Sequence, residues 1–264
     1  MAIKDITLGQ FYPKESKIHS LDARTKIIGT VVYLVALFLV NNFLGFAIAA
    51  LALVTVVAIS KVPFKFISKG LKPIMILIIF TMLVNMFATP GEVIFTIWKL
   101  KLTKEGIIRA IFMAIRLVLL IFGSSLLTLT TKPIELTDGL ERLMSPLRVI
   151  GLPAHELAMM MTIALRFIPT LLDETDKIMK AQSSRGADFE SGNLIERAKG
   201  LVPLLVPLFV SAFRIAGDLA MAMEARCYRG GDGRTRMNEM KFGKADLISF
   251  IILVVYLAVI ILTR

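Results

Sequence analysis

The sequence predicts an all-α, polytopic membrane protein with about five transmembrane helices and a cytoplasmic platform of long coupling helices, and three observations carry that prediction. Hydrophobic residues make up 56 % of the 264, with a mean hydropathy of +0.75. That is more apolar surface than one soluble core of this length hides. No charged residue occurs between Ile27 and Ile59. From residue 131 to 245 charge-rich stretches alternate with two shorter apolar runs, a different texture from the ends of the chain.

The uncharged run would make about 50 Å of helix at 1.5 Å per residue, too long for one crossing. Two spans must share it, and "NNFLG", Asn41 to Gly45, is the expected hairpin because Asn and Gly tolerate turn conformations. A third span is expected from Ile74 to Ala88, ahead of Pro90 and Gly91, and a fourth from Ile111 to Thr130, stopping before Pro133. The fifth is Leu247 to Leu262. The first apolar run follows a mixed-charge segment with no A-x-A-like site, so it is expected to stay in the mature chain.

Lys61, Lys65, Lys69 and Lys72 follow the first two spans with no acid among them, which places that loop and the lysine-rich N-terminus in the cytoplasm. Lys99, Lys101, Lys104 and Arg109 oppose them on the other side. The expected organisation is residues 1–130 for the N-terminal segment and four spans, 131–245 for a cytoplasmic or interfacial coupling-helix domain, and 246–264 for the last span. Within the middle part, Leu157 to Leu172 carries Arg166 and Pro169, while Leu201 to Met223 carries Pro203, Pro207, Arg214 and Asp218. Such interruptions suit helices lying against the membrane better than crossings. The competing reading, two further spans, would put the loop holding Arg185 outside.

A net charge of +11 in a membrane chain records topology and anionic-lipid contact, and no basic and aromatic platform for nucleic acid accompanies it. The only cysteine, Cys227, excludes an internal disulfide, and two histidines leave little for a metal. His155 and Glu156 begin an H-E-x-x pattern, but Met159 stands where a second ligand is needed. Asp173, Glu174 and Asp176 share their helix with Lys177 and Lys180 and read as a solvated or salt-bridged face. Asp22 reads as the N-cap of the first span. Arg116 interrupts the fourth span and is expected to snorkel or face the bundle as a structural group.

Two arginine motifs remain. The helix expected from Pro153 reaches "AQSSRG", with Gly186 suited to a left-handed cap and Arg185 at the helix end. The next long helix is expected to run through "AMEARCYRGG" to Gly230 and Gly231, with Arg226 in its last turns. Aligning the arginines superimposes Ala181 on Ala222 and Ser184 on Ala225. One arginine at a helix C-terminus is accounted for by the macrodipole, worth about 0.3–1 kcal/mol. Two matching ends, each beside small residues, suggest a two-pronged plug for a carboxylate and carbonyl groove on another protein. No phosphate-binding G-x-x-x-x-G-K-[ST] occurs, so energy would have to come from a partner.

"SLDARTKIIG", "GLPAHELAMMMTIALRFIPTLLDETDKIMKAQSSRG" and "AMEARCYRGG" with its basic tail together resemble the transmembrane coupling subunits (EcfT) of energy-coupling factor transporters, the vitamin and metal-ion importers of the ABC class. In that family X-Arg-X motifs, often Ala-Arg-Gly, end two coupling helices that dock one into each of two ATPase subunits. The resemblance implies that role for Ser184, Arg185, Gly186 and for Ala225, Arg226, Cys227, with Arg229 supporting, although Ser184 and Cys227 depart from Ala-Arg-Gly. It also implies a non-catalytic chain with no cofactor of its own, ATP and Mg being bound by the two ABC-type nucleotide-binding subunits. One or more substrate-binding membrane (S) subunits would be the other partners, in the bilayer of the cell membrane. Met159, Met160, Met161, Met221 and Met223 would offer those subunits an adaptable surface, or simply fill space between helices. The alternative function is a self-contained secondary transporter or channel, which needs intramembrane ionisable groups that these spans, Arg116 apart, do not offer. An intramembrane enzyme lacks a nucleophile and base or a metal set.

Overall fold

The computed structural model describes residues 11–97, 100–151, 153–187, 189, 194–230 and 242–263. Lys99, part of the topology argument, and the basic tail Asp232–Arg236 lie outside the described residues. The chain divides into two compact units, one of Gly9–Leu143 with Glu239–Arg264 and one of Met144–Asn238.

In the first unit, α1 (Ala23–Leu39) starts where expected, because the Asp22 carboxylate accepts the Arg24 backbone N–H at 2.9 Å. The chain breaks over Val40 to Asn42, and α2 runs from Phe43 to Ser60. Gly45 therefore serves a different purpose from the turn expected of it. It lies inside α2, where an added Cβ would come within 2.8 Å of the Val40 side chain. Lys61 ends α2 in the left-handed region at φ 55°. A short α3 (Phe64–Lys69) and a single 3-10 turn (Lys72–Ile74) lead into α4 (Met75–Ala88).

Two short strands, β1 (Val93–Ile97) and β2 (Leu100–Thr103), then form an antiparallel hairpin that the sequence reading did not anticipate. Thr103 at its end accepts the Gly106 N–H at 3.1 Å and so starts α5 (Lys104–Thr130) seven residues ahead of the expected Ile111. The charges of Lys104, Glu105 and Arg109 hid that turn of helix, although a cap and an acid in the first turn are ordinary start signals. An amphipathic α6 (Pro133–Met144) follows, with proline at its first position, and the unit closes with α9 (Lys244–Leu262). We number the two helices of the other unit α7 and α8.

Helix α5 is the post of this unit, meeting α1, α2, α3 and α4. Leu37, Phe46, Ala49, Ile67, Leu129 and Ile260 are among the side chains buried in the resulting core. The opposite faces are apolar as well: Leu51 is 69 % exposed and Ile76 79 %. Helices hydrophobic on every side suit lipid rather than water. One end of the unit is polar instead. Asp246 accepts the Gly243 N–H at 2.8 Å, starting α9, and the Asp22 N–H at 2.9 Å, tying α9 to the start of α1. Lys26, buried in α1, donates to the carbonyls of His19 and Thr130, at 2.9 and 3.1 Å. The "SLDARTK" stretch is thus the knot that joins α1 and the start of α9 to the foot of α5.

The second unit holds α7 (Ala154–Ser183) and α8 (Leu194–Ala225), after a 3-10 segment Ser145–Ile150. Pro169 in α7 and Pro203 and Pro207 in α8 interrupt neither helix. This changes how the two apolar runs are judged, because each lies inside an unbroken helix, of 30 and 32 residues. Six segments among the described residues are long and apolar enough to cross a bilayer: 43–60, 64–88, 104–130, 154–183, 200–225 and 244–262. Helix α1, with 17 residues, lies at the short end of the range. The architecture is that of an all-α polytopic membrane protein.

Candidate functional site

Helices α7 and α8 run antiparallel, as two cross-contacts met in opposite order along the two helices establish. Glu174 of α7 accepts from the Ser211 hydroxyl of α8 at 3.4 Å, and Tyr228, just beyond α8, reaches His155 and Met159 near the start of α7. Between them Ile163, Phe167 and Leu171 face Ala212, Ala216 and Leu219 across an apolar groove. Two antiparallel helices place their C-termini at opposite ends. Arg226 lies beside the start of α7, whereas Arg185 lies at its far end, about 26 residues or roughly 40 Å along the axis from Met159.

The two helix ends share one backbone design. After α7, the Ala187 N–H donates to the Gln182 carbonyl and the Gly186 N–H to the Ser183 carbonyl, both at 3.0 Å, with Gly186 at φ 89°. Beyond α8, Tyr228 donates to Met223 at 3.0 Å and Cys227 to Glu224 at 2.8 Å, with Cys227 at φ 56°. Both are Schellman caps, in which the residue before the left-handed position is the helix C-cap. Arg185 and Arg226 occupy that same position. The second helix therefore stops at Ala225, five residues before the expected glycines. The cause is Cys227, which takes the left-handed capping position first; Gly230 is left-handed too, at φ 93°, but lies beyond the helix.

Because the backbone satisfies the last carbonyls, neither guanidinium is needed as a cap. Arg185, Arg226 and Arg229 are exposed, and among the described residues none of the three side chains has an ion-pair partner. Ser184, Gly186, Ala225 and Cys227 around them are exposed too, leaving room for another backbone to approach. The site is two small, cationic, projecting corners. It offers hydrogen-bond donors to a partner.

The methionines divide. Met160 and Met221 point outward, 57 % and 62 % exposed. Met159 takes a hydrogen bond from the Tyr228 hydroxyl at 3.0 Å, Met223 lines the groove, and Met161 is half-buried. Glu174 of the acidic cluster is engaged by Lys177 at 3.5 Å as well as by Ser211. Tyr228 and His155 gained no role from sequence reasoning. The signal for Tyr228 was its place two residues after the C-cap, where a side chain commonly packs back on its own helix.

Comparison with known proteins identifies the family of the chain. The family described as "Cobalt transport protein" (CbiQ) matches residues 14–237. The energy-coupling factor transporter transmembrane protein EcfT of Clostridium kluyveri is 59 % identical over 99 % of this chain and 98 % of its own. Those of Thermosediminibacter oceani and Bacillus subtilis are 56 % and 48 % identical, each covering 94 % or more of both chains. With apolar helices throughout and a match along almost its whole length, the chain belongs to the CbiQ family, among the EcfT transmembrane components of energy-coupling factor transporters.

Proposed function

We propose that this chain is the scaffold and coupling subunit of an ABC-type importer, carrying ATP-driven movement from two separate nucleotide-binding subunits to a substrate-binding membrane subunit that takes up vitamins or other micronutrients. The observation that carries the proposal is the pair of matched helix ends, each presenting an exposed arginine beside small residues. A guanidinium fork there can enter a groove lined by carbonyls and carboxylates, one on each ATPase.

In this mechanism ATP and Mg bind the partner chains. Closure of the ATPases moves the arginine anchors, the α7–α8 pair moves with them, and the substrate-binding subunit resting on the outward methionines is tilted to release its cargo. The N-terminus and the coupling helices lie on the cytoplasmic side, where the ATPases are. This chain transmits motion and catalyses nothing.

The test is co-purification from membranes with the two nucleotide-binding subunits of the same organism. Single Arg185→Glu and Arg226→Glu changes each weaken retention of the ATPases, and the double change abolishes it, while the membrane protein still elutes as a single folded species. A double variant that assembles and transports like the wild type would reduce both arginines to helix-end charges. Transport that proceeds without any added ATPase subunit would instead favour a self-contained secondary transporter or channel.

A further inference from the structure

We infer that Tyr228 is a positioning residue for the Arg226 anchor, a latch that pins the end of α8 to the start of α7 and makes this prong, unlike the Arg185 prong, move with both helices at once. The inference rests on the docking reading of Arg226. Among the described residues only Lys61 and Cys227 adopt positive φ without being glycine. A strained residue of this kind persists where its surroundings over-determine it. Tyr228 does so twice: its N–H closes the cap on Met223 at 3.0 Å, and its hydroxyl donates to the Met159 sulfur at 3.0 Å, with His155 Nε2 3.4 Å away.

The first motif lacks this device. Its equivalent residue is Ala187, which makes the same backbone bond to Gln182 but has only a methyl group. Among the described residues, Arg185 is therefore placed by the backbone cap of α7 without such a side-chain tie, while Arg226 sits two residues from a side chain anchored on the other helix. Force applied at Arg226 enters α7 near His155 and Met159 directly. Force applied at Arg185 enters α7 from its opposite end.

The experiment measures retention of the two co-expressed nucleotide-binding subunits by Tyr228→Phe, placed separately in the Arg185→Glu and Arg226→Glu backgrounds. With docking confined to Arg226, loss of the hydroxyl lowers retention roughly fivefold; with docking confined to Arg185 it changes retention less than about twofold. Met159→Leu, which keeps the volume and removes the acceptor, gives the same split, and combining it with Tyr228→Phe adds nothing. Equal losses in both backgrounds, or none in either, overturn the latch, since a general packing defect does not distinguish the two prongs. If the double arginine reversal retains its ATPases like the wild type, the docking reading fails and the latch falls with it.

Discussion

Three arginines at helix C-termini can be set side by side, and the one at the α1 end in one unit differs from those at the α7 and α8 ends in the other. At the close of α1, the Arg116 guanidinium donates to the Val40 carbonyl at 2.6 Å and lies over the rings of Phe38 and Phe46, 5.9 and 5.6 Å from their centroids. There the side chain performs the capping, and the charge is consumed by the fold. At Ser183 and Ala225 backbone N–H groups perform it through a left-handed residue, and the guanidinium is left over. Proximity to a helix end is therefore uninformative about an arginine's role. What decides is which group satisfies the orphaned carbonyls.

The largest expected effect that could break this comparison is on stability. Arg116→Ala strips the Val40 carbonyl of its charged donor and leaves a gap against two rings, and should cost about 3 kcal/mol, read as a lower thermal midpoint of the purified protein. Alanine at Arg185 or Arg226 should leave that midpoint almost unchanged. A second test concerns the fork. Lysine at both positions preserves charge and helix-dipole interaction but not bidentate geometry, so ATPase retention should fall on the order of tenfold. Retention equal to the wild type would mean that charge alone suffices.

The two Schellman caps should respond with opposite sign to exchanging their left-handed residues. Gly186→Ala forces a side chain into φ 89° and should destabilise by about 1 kcal/mol. Cys227→Gly relieves a strained position at some cost in chain entropy, for a net gain of about 0.5 kcal/mol. Thermal unfolding of the two variants side by side would read both signs.

The smallest expected effect is that of pH, and it belongs to the knot at Asp22 rather than to the arginine ends. Burial, helped by the nearby Lys26 charge, lowers the His19 pKa from its usual 6.5. As pH falls through 6.5 the unfolded chain takes up a proton that the folded chain resists, so stability declines there on acidification. Burial opposes the Asp22 charge, but hydrogen bonds from Arg24 prevail and hold its carboxyl below the usual carboxylate value. Stability from that group is complete above its ordinary pKa and is lost at still lower pH. Replacing His19 with glutamine should remove the first decline and leave the second, as followed by thermal midpoint between pH 8 and pH 3.

The start of α1 at Asp22 was legible because a cap followed by an apolar run is a local signal, and so was the end of α7, where glycine is the residue that adopts left-handed geometry without strain. The end of α8 was misplaced for the complementary reason. Cysteine carries no such signal, so the reading passed over Cys227 and chose the next glycines. The start of α5 was lost among charges, and the strands before it are too short for a periodic pattern to emerge.

By itself, then, the sequence determined the helical membrane character of the chain, most of its helix ends and the pairing of two arginine motifs, because hydropathy, caps and glycine act within a few residues of where they are written. Only the tertiary structure decided that α7 and α8 run antiparallel, that their arginines stand at opposite ends, that Arg116 is spent on Val40, and that Tyr228 reaches His155 and Met159. Those are contacts between segments distant along the chain. They depend on which apolar faces meet, and no local residue pattern encodes that.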